Sequence, residues 1–383
     1  MALTSPLRIA FVVHDYHRHG GHARYVAELA TRFRVRHEVH VFSNTFDEPD
    51  PGGIRFHHVP AVRWNALTTI LSFALPVSMQ RFGKFDIVHA QGFCGLRQNV
   101  ITAHISQVAW FAALDRRMLP QTLRKRIFRH VAIRLDRLAY RPAAARAFIA
   151  VSERLRADLV QFHGIDPATP VIHHGVDCVQ FSPVNVARWR HPARQRIGAS
   201  EREFVALYVG DWQKSSESLV AIVRSVPAAT LWIVTKTPHG DVEADLERAG
   251  VRSRTRVLGA TGTIEHLFAA ADCLLFPSFY DSFGMVVAEA MATGLPVIVS
   301  GNAGASEWIS RGKNGLIIDD AGDAAAFAHA LRALMRDDAM RVALGAAARV
   351  TAEAHSWDFA AAQTMDVYER IVAEQRPQQR RAP

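Results

Sequence analysis

A chain of 383 residues is longer than one ordinary hydrophobic core fills, and 49% apolar residues exclude a disordered polymer. Three cysteines, Cys94, Cys178 and Cys273, share no CxxC spacing and cannot all pair, which points to a reducing compartment rather than a disulfide-built secreted domain. The formal charge of +9 is uneven: residues 1–183 carry 23 Lys+Arg against 13 Asp+Glu, whereas residues 184–383 carry 22 against 23.

MALTSPLR leads straight into the strand-like run IAFVV, so no signal peptide is expected. No stretch reaches the roughly 18 uninterrupted apolar residues of a membrane span, TILSFALPV at 69–77 being the nearest. The expected location is cytoplasmic.

In chain order, buried-type strands are predicted at 8–13, 38–42, 86–90, 100–103 and 146–151, with helical periodicity at 22–34 and 122–140. Ser152 follows FIAV as a helix N-cap, and VIHHGVD at 171–177 reads as a short strand ending in a glycine turn. Residues 186–202 are polar, basic and proline-containing, and are expected to link domain 1–185 to domain 203–354. The second domain repeats the alternation, with strands at 204–209, 230–235, 255–258, 272–276, 296–299 and 315–318. Helices are expected at 216–224, 263–270, 284–292, 304–310 and across the Ala-rich 321–352. A closing amphipathic helix follows within 355–373, with Phe359, Met365 and Tyr368 as packed positions; 374–383 is an expected disordered tail. Two βα arrays imply an α/β protein of two Rossmann-like parallel-sheet domains facing across a cleft.

The densest signal is SFYDSFGMVVAEAMATGLPVIVS at 278–300. Asp281 and Glu289 lie near opposite ends of a short helix that starts where a parallel strand finishes. Ligands bind at such places, and first-turn N–H groups attract phosphate. Carboxylates would repel phosphate, so these two suit hydroxyl groups. The implied ligand has a phosphate centre and polyol ends.

The order of motifs resembles that of the family-four retaining glycosyltransferases, which have the GT-B fold. HDYHRHGGHARYVAELA at 14–30 is similar to the family's first glycine loop and helix. FIAVSERLRADL, VIHHGVDCVQFSP, FPSFYDSFGMVVAEAMATGLPVIVS, GASEWISRGKNGLIIDD and HSWDF…VYERI are similar to later segments in the family's order. The resemblance implies sugar transfer from a nucleotide sugar with retention, no metal, a donor in the second domain, an acceptor in the first, and a last helix crossing back to the first.

It also assigns residues. Gly20 and Gly21 would let backbone approach a diphosphate, although such a pair is by itself a tight turn. Asp281, where the family most often has Glu, would contact sugar hydroxyls, its structural alternative being a helix N-cap. Glu289 would hold ribose hydroxyls, against the plain reading of a solvent-facing helical acid. Ser282, Phe283, Gly284, Met285 and Val286 would surround the phosphates. His104 would face the sugar, though a histidine at a strand end is more often structural. Gly304 and Glu307 are candidates for the pocket wall. The sequence departs from the pattern at VGDWQKSSES, 209–218: Asp211 stands where the family has Arg, and no Lys-Gly follows. Lys214 is the expected diphosphate cation, with Lys236 or Arg18 as substitutes; without one, turnover would be weak or absent.

No GxGxxG fingerprint occurs, which argues against a bound NAD, and no cofactor is expected beyond a UDP- or GDP-sugar as substrate. The histidines of 14–22 lack the fixed geometry of a metal site. The 122–140 helix carries Leu123, Ile127, Val131, Leu135 and Leu138 on one stripe, with Arg124, Lys125, Arg126, Arg129, Arg134 and Arg137 on other faces. Its plain reading is a solvated crossover helix. Its basic density also suits an anionic membrane face or a phosphorylated acceptor. The partners expected are a nucleotide sugar and a glycan or lipid-linked acceptor, in envelope or surface polysaccharide synthesis. Nucleic acid is not expected, since no stacking aromatics interleave the charges. A non-catalytic nucleotide-sugar or glycan binder, and a GT-B nucleotide-sugar epimerase, are the competing accounts.

Overall fold

The computed structural model describes residues 5–47, 52–116 and 123–379. Its strands are β1 Arg8–Val12, β2 Asp15–Tyr16, β3 Glu38–Ser43, β4 Thr45–Phe46, β5 Ile54–His58, β6 Ile87–Gln91, β7 Val100–Ala103, β8 Ala147–Ala150, β9 Phe204–Val209, β10 Ala229–Val234, β11 Thr255–Leu258, β12 Cys273–Phe276, β13 Val297–Ser300 and β14 Leu316–Ile318. Its helices are α1 Gly21–Phe33, α2 Ala66–Met79, α3 Gln107–Asp115, α4 Leu123–Ala139, α5 Glu153–His163, α6 Val184–Ile197, α7 Ser216–Ser225, α8 His239–Arg248, α9 Ile264–Ala270, α10 Met285–Thr293, α11 Ala324–Arg336, α12 Asp338–Glu353 and α13 Trp357–Gln379.

The chain divides into two compact units, Met1–His174 with Trp357–Pro383, and Gly175–Ser356. Each holds a six-stranded parallel sheet, ordered β5-β3-β1-β6-β7-β8 in the first and β11-β10-β9-β12-β13-β14 in the second. Continuous apolar runs explain this. Phe11, Val41 and Ile101 in one sheet, and Leu207, Ile233 and Leu275 in the other, are fully buried, as strands covered by helices on both faces require. Strand order reverses between β1 and β6, and again between β9 and β12. Ligand crevices in open α/β sheets form outside the carboxyl ends of the strands at such reversals.

Several expectations are corrected. The first unit ends at His174, where 185 was expected, because Val176 bridges to Ser356 and its N–H donates to His355 O (3.0 Å). The expected linker 186–202 is largely α6, a packed part of the second unit. Its arginines look solvated in sequence, but Arg194 is fully buried and donates to Asp272 Oδ2 (2.7 Å), Ala270 O, Ser200 O and Glu203 O. Residues 171–177 form single bridges rather than a strand, and 304–310 is a 3-10 turn, Gly304–Trp308. The Ala-rich stretch is two helices divided at Asp337, which caps α12 through Met340 N. The last helix runs on to Gln379 and packs on α1 in the first unit, through Tyr368 against Phe33; residues 380–383 lie outside the described residues. Tyr368 is buried in it, but Phe359 is 51% exposed, the inward face being Trp357, Ala360, Ala361, Thr364 and Val367. Along α4, Ile127 is 57% exposed and off the core; burial comes further on, at Asp136 and Ala139. Asp136 is held by Val108 N (3.2 Å) and His163 Nε2 (3.2 Å).

Candidate active site

In the second unit, the loops after β9 and β12 meet at the strand-order reversal. The chain leaves β9 through Gly210, and the Tyr208 hydroxyl donates to Asp211 O (2.6 Å). Asp211 Oδ1 accepts from Gln213 N (3.0 Å), capping a single 3-10 turn, Trp212–Lys214, which Trp212 anchors by donating to Asp245 Oδ2 (2.8 Å). Asp211 is therefore a local cap. Phe279 N donates to Lys214 O (3.2 Å), stitching this turn to the loop after β12. Lys214 Nζ donates to Asp281 Oδ2 at 3.1 Å, both side chains being about a fifth exposed.

Asp281 is fixed by its backbone as well. Its N–H donates to Asn302 O (3.2 Å) and its carbonyl accepts from Gly304 N (3.0 Å). Its Oδ1 accepts from Phe283 N (3.3 Å), so Asp281 caps the turn before α10, while Gly284 occupies the N-cap. Gly284 has φ +89°, a conformation that favours glycine, and a Cβ there would lie 3.3 Å from Phe276 Cε1, a tight contact. Ser282 and Phe283 are buried, Phe283 against Trp308 with ring centroids 5.3 Å apart. Their side chains support the loop. Met285 and Val286 are half-buried, four and three residues before Glu289, and so share its helix face. Glu289 itself is only 8% exposed, against the plain reading of a solvent-facing acid.

In the first unit, Gly20 (φ +110°) and Gly21 (φ +63°) open α1 in the left-handed region, and nothing lies within 4 Å of a Cβ at either. Backbone conformation, rather than space, selects glycine here. His104, just past β7, is drawn into a polar chain: its Nε2 meets Gln91 Oε1 at 2.8 Å, and its Nδ1 meets His174 Nε2 at 3.3 Å. An amide oxygen can only accept, so with this amide orientation His104 carries its proton on Nε2, and Nδ1 accepts from His174. Burial, with His174 and His22 nearby, holds the His104 pKa well below the ordinary value, and burial first of all lowers His174 to about 3. His104 is thus neutral at pH 7, suited to hydrogen bonding rather than to carrying charge. His22, from the first turn of α1, places its ring 5.8 Å from that of His104, so His104 and the Gly20–Gly21 turn are neighbours.

Sequence reasoning missed Gln91 and His174. The available signal was a polar residue closing an apolar strand (IVHAQ), and the second histidine of VIHHG. Arg18 donates to Glu28 Oε1 (3.1 Å) and Thr31 Oγ1 (2.9 Å). Lys236 follows β10, one strand away from the reversal. Among the described residues, no group of three or more His, Cys, Asp or Glu side chains could hold a metal ion, and no helix is long and apolar enough to cross a membrane.

Comparison with known proteins assigns the fold and the family. Residues 19–180 match the model of Glycosyltransferase Family 4, and residues 203–337 match that of Glycosyl transferases group 1. D-inositol 3-phosphate glycosyltransferase of Xylanimonas cellulosilytica is 28% identical over 396 residues, covering 91% of both chains. Among solved structures, WaaG, a glycosyltransferase involved in lipopolysaccharide biosynthesis, shares the fold with TM-score 0.80 at 20% identity, over 94% of this chain and 99% of that one. Anabaena Alr3699/HepE in complex with UDP-glucose shares it with TM-score 0.71 at 19% identity, over 95% of this chain and all of that one. The chain is therefore a nucleotide-sugar-dependent transferase. Within that class it is a GT-B, family-4-like retaining glycosyltransferase, matched in both of its units.

Proposed function

We propose that the enzyme moves a hexose-type sugar from a UDP- or GDP-sugar to a glycan or lipid-linked acceptor in envelope or surface polysaccharide synthesis. The observation that carries this reading is the constellation at the second sheet's reversal: Glu289 buried on α10, and Lys214 paired with Asp281 beside the N-terminus of that helix. Each part has a physical task. Glu289 accepts from ribose hydroxyls. Gly284, Met285 and Val286 offer first-turn N–H groups, which have no intrahelical acceptor, to the diphosphate. Ser282 and Phe283 hold that turn in place. Lys214 stands at 3.1 Å from Asp281, so Asp281 can bind sugar hydroxyls while Lys214 meets the negative charge that develops on the leaving diphosphate. In the first unit, the Gly20–Gly21 turn and neutral His104 serve the diphosphate and the sugar.

The acceptor class draws support from the relatives, one named for D-inositol 3-phosphate and one for lipopolysaccharide biosynthesis. Peripheral attachment to an inner membrane face would use α4, where Lys125, Arg126, Arg134 and Arg137 are exposed beside Ile127 and Phe128. Arg129 is excluded, being committed to Asp115 through two hydrogen bonds.

Incubation with a panel of nucleotide sugars and no acceptor tests the chemistry. Slow release of free nucleoside diphosphate from one donor is the expected result. Release of a free epimer would replace transfer with epimerisation. Saturable binding without either product would leave a non-catalytic binder, the reading favoured by a clamp reduced to one lysine already in an ion pair.

A further inference from the structure

We propose that Gln91 is a positioning residue of the first unit, which fixes the ring of His104 and decides which of its nitrogens carries the proton. The inference rests on the proposed transfer reaction, in which His104 serves the sugar. Gln91 closes β6 at the carboxyl end of the strand, beside the strand-order reversal, and is only 4% exposed. Its Oε1 meets His104 Nε2 at 2.8 Å, and its backbone carbonyl accepts from the Cys94 thiol (3.3 Å). The other half of the amide is poorly served. Gln91 Nε2 is buried and finds no hydrogen-bond partner among the described residues. A buried donor left unpaired costs stability, and each such group calls for a reason. A methionine of similar length would fill the place without an orphan donor, so packing does not account for a glutamine here. The bond to His104 does.

Two proton arrangements are open to the row Gln91–His104–His174. With the amide oxygen facing His104, the proton sits on His104 Nε2, and His174 Nε2 donates to His104 Nδ1 across 3.3 Å. With the amide turned over, Gln91 would donate to Nε2, and His104 would donate to His174. An apolar side chain at position 91 would specify neither. The other titratable groups facing His104 are His22 and Tyr25 of α1 and His89 of β6, the Tyr25 ring standing edge-on at 5.2 Å. None of these is a carboxylate, so the amide oxygen of Gln91 is the acceptor that holds the proton on Nε2. Both ring nitrogens of His104 are thereby engaged within the first unit. The ring acts on the sugar as a neutral group of fixed orientation, not as a proton carrier.

Ring-nitrogen chemical shifts of the full chain, labelled with 15N at histidine, test the proposal beside the rate of nucleoside diphosphate release. His104→Asn assigns the signal. Wild type should show His104 protonated on Nε2. Gln91→Met should lose that signature and lower kcat by about 10- to 100-fold, with the donor KM and the unfolding midpoint nearly unchanged. Gln91→Glu keeps an acceptor at the same reach, so it should hold the Nε2 proton and restore turnover at about pH 8. Its negative charge favours the imidazolium, so the His104 pKa should rise, and turnover should fall as pH drops through it. Wild type should lack that ionisation. A wild-type proton on Nδ1, or a His104 signature or turnover unaltered in Gln91→Met, would overturn the proposal. So would turnover that Gln91→Met loses only in step with its stability, which would reduce Gln91 to packing. If wild type releases no nucleoside diphosphate from any donor, the transfer reading fails, while the nitrogen spectra still decide what Gln91 does to His104.

Discussion

Lys214 and Asp281 form a part-buried ion pair, in which the cost of desolvating both charges offsets most of their mutual attraction. Lys214→Met should therefore leave the unfolding midpoint nearly unchanged while lowering turnover by about a hundredfold, the size of effect seen when one charge-stabilising donor is removed from an active site. Equal losses of stability and turnover would assign the lysine a structural task. The histidines of the first unit make a second, pH-dependent prediction. Burial first lowers His14 to about 4, and burial lowers His89 and His174 to about 3. Unfolded, each would take up a proton near pH 6.5. Below that value the unfolded chain binds more protons than the folded one, so stability is fully present above pH 6.5 and falls as pH drops towards the folded values. Between pH 7 and 5.5, before ordinary carboxylates titrate, the urea midpoint of the first unit should decline steadily. The slope tends towards about 1.4 kcal/mol per pH unit for each such histidine. A flat midpoint over that window would contradict their burial as neutral imidazoles.

At the scale of elements, α10 is placed by close backbone contact as well as by side chains. Gly345 of α12 approaches the C-cap of α10 so nearly that a Cβ would lie 2.1 Å from Gly294 O. Gly345→Ala must push the two helices apart and should cost about 1–3 kcal/mol, with nucleotide-sugar affinity falling because Glu289 moves with its helix. A stable variant with unaltered affinity would show that α10 is positioned from elsewhere. Much of this architecture was legible. VITA, LLF and VIV read as buried strands because strands covered on both faces need unbroken apolar runs, and Asp281 and Glu289 stood out as acids inside such surroundings. Other parts were hidden by long-range pairing. Arg194 looked like a linker arginine until Asp272 and three carbonyls surrounded it. Gln91 and His174 belong to the His104 site through contacts made 13 and 70 residues away in sequence, beyond the reach of any local pattern. Asp211 reads as a lost arginine in sequence, and as a turn cap in the fold.

At the scale of the whole molecule, two sheets with the same strand order carry different chemistry at their reversals. The first gathers neutral, buried histidines and a glycine turn, whereas the second gathers two acids, one lysine and a helix N-terminus. The excess positive charge lies in the first half of the chain, with the basic face of α4. Binding of nucleotide sugar and binding of anionic vesicles through α4 should therefore be separable by substitution, each surviving loss of the other. Calorimetric titration of the intact enzyme with UDP-, GDP- and ADP-glucose, alongside Glu289→Gln, tests the donor site most directly. One nucleotide should bind wild type best, and the variant should bind it about 10- to 100-fold more weakly, the cost of losing a charged hydrogen-bond acceptor. Equal affinity in wild type and variant would remove Glu289, and with it the donor site, from this account.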